Sequence, residues 1–149
     1  RHNAIATGFN ADHADAFIAQ EGVEEADAVA AALQHSFLKD GGLLTTLYET
    51  GQQWDAPNGW APLQWITYYG LKRAPYHQHD VAEKIRQHWM RNNEKVYAAT
   101  GKMMEKYNVV NTLLEAGGGE YEGQDGFGWT NGVFLAMLAL NEKNKKSSL

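Results

Sequence analysis

From residue 24 onward the apolar positions fall into helical registers. Ala26, Val29, Ala30, Leu33 and Phe37 mark one face, Glu24, Glu25 and Asp27 place acids at the positive end of a helix dipole, and Gly41-Gly42 offers a stop. The spacing predicts a core-facing helix of about four turns. Leu43 to Thr50 is rich in β-formers and predicts a short extended stretch. Pro62 has the fixed φ of a first helical position, and Leu63 to Lys72 predicts a second helix with Trp65, Ile66, Tyr68 and Tyr69 as packing residues. Pro75 to Asp80 reads as a polar turn. The strongest pattern runs from Val81 to Thr100, with Val81, Ile85, Trp89, Val96 and Ala99 on a stripe and Glu83, Lys84, Arg91, Glu94 and Lys95 elsewhere. Gly101 can end it. Thr130 is placed to cap a last helix over Asn131 to Asn141, with Val133, Phe134, Met137, Leu138 and Asn141 turned inward. Met103, Met104 and Met137 read as core filler. Every long element is helical, so the expected fold class is all-α.

Two stretches break the periodicity. The first, Gly51 to Gln64, carries Trp54, Trp60, Asp55, the amides Gln52, Gln53 and Asn58, and two prolines. Packing at a helix start explains the Trp and Pro residues but not the crowd of amides and acid. The second runs from Glu105 to Gly132 and interleaves Glu120, Glu122, Asp125, Tyr121, Phe127 and Trp129 with glycines. A flexible linker would be rich in Ser and poor in aromatics. Glycine lets the backbone approach a ligand closely, and flat rings beside carboxylates and amides suit a sugar, which has an apolar face and a rim of hydroxyls.

Composition narrows the function classes. A chain of 149 residues, 44% hydrophobic and 21% charged, is the size of one ordinary domain. Its net charge is −5, and the basic residues cluster only at Lys143, Lys145 and Lys146, which argues against a nucleic-acid partner. No apolar run has the length of a membrane span, and no signal-peptide pattern opens the chain. Cysteine is absent, which excludes disulfides and thiolate metal sites. His2, His13, His77 and His79 lack converging acids at ligand spacing, so neither a metal nor another cofactor is expected. Residues 1–22 form an Ala-rich leading segment, 23–142 the body, and 143–149 a basic tail. A start at Arg1 in place of Met carries the expectation that the natural beginning lies upstream or was removed.

The run Gln52-Gln53-Trp54-Asp55-Ala56-Pro57-Asn58-Gly59-Trp60-Ala61-Pro62 is followed by Gly117-Gly118-Gly119-Glu120-Tyr121 and by Gln124-Asp125-Gly126-Phe127-Gly128-Trp129-Thr130-Asn131-Gly132. Together they resemble the C-terminal part of the trehalases, the inverting α,α-trehalose hydrolases built on an (α/α)6 toroid. The resemblance covers roughly residues 26–140, with Ala116 where the family usually has a further glycine. It implies that the chain is the final portion of a toroidal glycosidase domain with its pocket loops at one end. The helices predicted here are too few to close six hairpins. The partners implied are trehalose or glucose and the N-terminal remainder of the domain, with the bacterial periplasm favoured over the cytoplasm. The faces at Leu33/Phe37 and Phe134/Leu138 are expected to lack partners within the chain.

Inverting hydrolysis needs one carboxylic acid to protonate the leaving oxygen and one carboxylate to activate water, roughly 6.5–9.5 Å apart. Asp55, Glu105, Glu120, Glu122 and Asp125 are the candidates, and Glu122 is expected to be solvated. Read alone, Glu105 is an exposed residue near a helix end beside Lys102 and Lys106. The resemblance makes Glu105 the general base and Glu120 a binding or supporting carboxylate, although the two roles can be exchanged. Gln53, Trp54, Asp55, Asn58, Trp60 and Phe127 complete the expected sugar-binding set. The family's general acid and arginine cluster have no counterpart in the chain. The alternatives are a related toroidal glucosidase with another substrate and a non-catalytic sugar-binding module.

Overall fold

The stripe on the longest helix is the part of the pattern that the core absorbs. A computed structural model describes residues 25–73, 76–116 and 123–146, the last six by backbone only. Helix α3, His79–Thr100, buries Val81, Ile85 and Trp89, while Val96 packs at the margin and Ala99 is exposed. Gly101 stops it with a left-handed φ of 70°, its N–H bonding Tyr97 O at 2.7 Å. Helix α2, Ala61–Lys72, begins two residues before Leu63 with Pro62 in its first turn. Its Tyr68 and Leu71 are buried and Trp65 packs beside them, but Tyr69 faces outward. The two helices pack on each other and on helix α4, Gly128–Lys146, through the buried Met137.

The first helix differs from its expectation at its end. Residues 25–32 form helix α1, and Leu33–Phe37 widen into a single π turn. Ala26, Ala30 and Leu33 are buried, whereas Val29 is exposed. Gly41-Gly42 does not stop this helix. It turns strand β1, Leu38–Lys39, into strand β2, Gly42–Leu43, with Leu38 opposite Leu43. A tight hairpin explains both glycines: Gly42 has φ 129°, and a Cβ on Gly41 would lie 2.8 Å from Val109 Cα. The extended stretch expected to Thr50 is regular only at its first residue, because Thr45 N–H and Oγ1 both turn to Asn58 O at 3.1 and 2.9 Å.

Helix α4 also starts earlier than the Thr130 cap implies. The Phe127 carbonyl accepts the N–H of Asn131 at 3.1 Å and its side-chain Nδ2 at 2.8 Å, so Thr130 lies inside the first turn. Its hydroxyl donates instead to Met104 O at 2.8 Å. Val133 and Phe134 pack at the core margin. The Asn141 side chain, the polar turn's Pro75 and the leading segment lie outside the described residues. Leu33 is buried and Phe37 is packed against the core, so that face has its partner within the chain; Leu138 remains exposed.

A second ribbon was not foreseen. Strand β3, Asn58–Trp60, pairs antiparallel with strand β4, Lys106–Asn108, in the register Asn58 to Asn108, Gly59 to Tyr107 and Trp60 to Lys106. All six residues are buried. Helix α3 fixes this ribbon directly, Asn92 donating to Asn108 O at 3.2 Å, while Gln64 of α2 holds strand β2 by accepting from Leu43 N–H and donating to Leu43 O, both at 2.8 Å. The described residues are therefore helix-rich, with their named strands in two small ribbons.

Candidate functional site

Glu105 sits where the chain enters β4, and its backbone is held on both sides. Its N–H donates to Gln124 O at 2.7 Å, and its carbonyl accepts the indole N–H of Trp129 at 3.2 Å. Gly126 N–H to Met103 O and Thr130 Oγ1 to Met104 O fasten the preceding residues to the start of α4. The exposed position that the local sequence suggests is not observed: Glu105 is only 3% exposed. The cation beside it is not Lys102, which pairs with Asp125 at 2.6 Å on the surface. That hydrogen bond raises the Lys102 pKa above its ordinary value. Lys106, itself 2% exposed, places Nζ 3.6 Å from Glu105 Oε2. Burying a lone carboxylate is expensive, and an adjacent ammonium offsets part of that cost.

The Trp54 loop is shaped largely by its own hydrogen bonds. Gln53 O accepts from Asn58 Nδ2 at 3.2 Å and from Trp60 Nε1 at 3.1 Å. Asp55 Oδ1 accepts from Thr46 Oγ1, and its Oδ2 accepts from the backbone and hydroxyl of Thr50. Asn58 N–H returns to Asp55 O at 2.9 Å. Gln53 Oε1 is buried with no hydrogen bond among the described residues.

Aromatic rings join this loop to Glu105. Trp54 stacks on Trp60 with centroids 3.9 Å apart and planes within 5°. Trp129 meets the same ring edge-on at 5.7 Å, and Phe127 lies 4.7 Å from Trp129. Trp60 is thus enclosed, whereas Trp54 remains 43% exposed and offers a free face. Lys106 Nζ lies 5.6 Å from the Trp60 centroid, within cation–π range. Behind the ribbon, Tyr107 meets Trp89 edge-on at 5.1 Å. Burial raises the Tyr107 pKa, and the N–H that Met104 donates to its hydroxyl partly opposes this.

Of the residues expected to act together, Trp54, Trp60, Phe127 and Glu105 converge on one edge, with Gln53, Asp55 and Asn58 in the loop around them. Glu120, Tyr121 and Glu122 lie outside the described residues, as do His2 and His13. Lys106 and Trp129 belong to the arrangement, although neither was among the residues expected to act. Only the pairing of Lys106 with Trp60 across the ribbon discloses the first, and only the bond to Glu105 O discloses the second. Among the described residues no group of three or more His, Asp or Glu side chains could hold a metal ion, and no helix is long and apolar enough to cross a membrane.

Fold and site together define a helix-rich domain that presents an aromatic loop and a buried carboxylate on one edge. The family model for trehalase matches residues 1–142. The periplasmic trehalases of Salmonella paratyphi B and Salmonella newport are 52% identical over 117 residues, covering 78% of this chain and 20% of theirs. The neutral trehalase of Saccharomyces cerevisiae superposes with a TM-score of 0.61 at 27% identity, over 78% of this chain and 20% of that one. The chain belongs to the trehalase family. It spans about a fifth of the length of the curated relatives it matches.

Proposed function

We propose that this chain is the C-terminal portion of a glycoside hydrolase that converts α,α-trehalose to two glucose molecules with inversion. Glu105 is its general base. The observation that carries this reading is a carboxylate fixed at both backbone ends, buried beside an ammonium and bordered by the Trp54 loop, in a member of the trehalase family. In the reaction, Glu105 takes a proton from water as the water oxygen bonds the anomeric carbon from the face opposite the leaving glucose. A general acid on the upstream part of the protein protonates the departing oxygen. The exposed face of Trp54 stacks on a pyranose, and Phe127 borders the pocket. Gln53 supplies a buried acceptor. Asp55 keeps the loop in shape at the edge of the pocket and the buried Asn58 holds it from within, Trp60 backs Trp54, and Glu120 binds sugar or supports the base.

The domain is part of an (α/α)6 toroid closed by upstream helices. The exposed apolar side chains Val29, Leu113, Leu114, Leu135 and Leu138 are the surfaces those helices cover. The compartment proposed is the bacterial periplasm, in keeping with the names of the Salmonella relatives. Glucose release by the complete protein from trehalose, assayed beside maltose, tests the substrate. Turnover of trehalose alone is expected; turnover of maltose at a similar rate would point to a toroidal glucosidase of another specificity.

A further inference from the structure

The first turn of α4 meets the residues that lead into Glu105. Met103, Met104 and Glu105 present successive backbone carbonyls, and the segment from Gly126 to Thr130 donates to each of them. Gly126 N–H bonds Met103 O at 2.8 Å, Thr130 Oγ1 bonds Met104 O at 2.8 Å, and Trp129 Nε1 bonds Glu105 O at 3.2 Å. The Glu105 N–H returns to Gln124 O at 2.7 Å, and Met104 N–H donates to the Tyr107 hydroxyl at 2.9 Å. This run precedes β4 and has only an isolated bridge, Met104 to Asp125, so its path is set by these bonds rather than by a strand ladder.

Two of the carbonyl donors are side chains of α4. A threonine hydroxyl inside a helix ordinarily bonds back to its own preceding turn or faces water. Thr130 does neither: it is 0% exposed, and its hydroxyl is committed to a carbonyl 26 residues earlier in the chain. Beside it, the ring of Trp129 meets Trp60 edge-on at 5.7 Å while its N–H holds Glu105 O. One helical turn thus ties the backbone of Glu105 to the Trp54–Trp60 stack. We infer that Thr130 is a positioning residue, which through Met104 O fixes where Glu105 stands relative to the aromatic loop. The inference rests on Glu105 being the base. A reacting group displaced by about 1 Å can lose on the order of 10²-fold in rate, so a buried hydroxyl that never touches the sugar can still govern turnover.

The test is kcat and KM for trehalose, per folded molecule of the complete protein, for Thr130→Val, Thr130→Ser and Glu105→Gln, with melting temperatures alongside. Thr130→Val keeps the shape of the side chain and removes the hydroxyl. It is expected to lower kcat about tenfold or more while keeping KM within about twofold. Thr130→Ser retains the hydroxyl and should restore most of kcat. A purely structural threonine would lower the melting temperature and leave kcat per folded molecule unchanged. That result in folded Thr130→Val would overturn the inference, as would a raised KM at unchanged kcat. Should Thr130→Val fail to fold, Trp129→Phe, which keeps a ring against Trp60 and removes the bond to Glu105 O, carries the same comparison. Glu105→Gln separates the inference from the reading beneath it. If it retains kcat, the base is elsewhere and that reading falls; if it is inactive while Thr130→Val keeps full kcat, only the role of Thr130 falls.

Discussion

Gln64 does for Leu43 what a neighbouring strand would do. Its amide satisfies both backbone groups of a residue that is 1% exposed, and it does so from a helix. Replacing it by Leu keeps much of the volume and leaves a buried N–H and a buried C=O unpaired, at about 1–3 kcal/mol each. Denaturant unfolding of Gln64→Leu should therefore show a loss of about 2–5 kcal/mol. A loss within error would mean that water or another group takes over. A different residue pair sets an acid response. Burial works to raise the Glu83 carboxyl, but hydrogen bonds from Arg86 and Gln87 and the charge of Arg86 outweigh it, so its pKa lies below the ordinary value. A depressed folded-state pKa gives stability that is present above the unfolded pKa and lost as pH falls through the folded one. The Arg86 pKa is raised by its bond to Glu83, and no stability change follows from that near neutrality because Arg86 is charged in both states. Glu83→Gln is expected to flatten the decline in melting temperature on the acid side of the usual carboxylate range. An unchanged acid slope would show that the pair adds nothing. Neither role is legible in sequence, since Gln64 and Glu83 look like ordinary polar helix positions until Leu43 and the inward-turned Arg86 are seen beside them.

Among the elements, α3 was legible because a long stripe repeats over several turns, and Gly101 stops it as expected. The ribbon that holds the site was not. Asn58-Gly59-Trp60 and Lys106-Tyr107-Asn108 are too short to alternate, and their pairing spans 48 residues. Gly59 shows how tight that pairing is: a Cβ there would lie 2.5 Å from Val109 Cγ1 and 2.6 Å from Leu43 O. The backbone oxygen has nowhere to move. Gly59→Ala should cost about 1–3 kcal/mol or more through overpacking, and in the complete protein it should lower kcat as well, because Trp60 and its partner Lys106 shift with the strand. Gly132→Ala in α4 meets nothing within 4 Å and should stabilise the helix by about 0.5–1 kcal/mol. Equal effects of the two substitutions on thermal unfolding would contradict this account of the ribbon. The start of α4 was misread for a related reason. A threonine before an apolar run looks like a cap, but the Thr130 hydroxyl is spent on Met104 in the segment that carries Glu105.

For the molecule as a whole, the motifs disclosed the family before any geometry, because Trp-rich runs of that length do not recur by chance. What they did not disclose was the burial of Glu105 or the ammonium beside it, both of which depend on contacts between distant segments. On the proposal that the general acid lies on the upstream part of the protein, the isolated chain should release no detectable glucose from trehalose, since a base without its acid forgoes a factor of roughly 10² to 10⁴. Leu113, 82% exposed, and its exposed apolar neighbour Leu114 should make the isolated chain associate or bind a hydrophobic dye, and the upstream segment supplied in trans should reverse both effects. A compact, dye-silent monomer in sedimentation would favour a self-sufficient sugar-binding module instead. The most direct measurement is the pair of kcat and KM values for trehalose in the complete protein carrying Glu105→Gln, set beside Glu120→Gln. The account predicts that Glu105→Gln lowers kcat by roughly 10² to 10⁴ with KM nearly unchanged, and that Glu120→Gln raises KM. Retained kcat in Glu105→Gln with collapse in Glu120→Gln would contradict it and move the base to the glycine-rich loop.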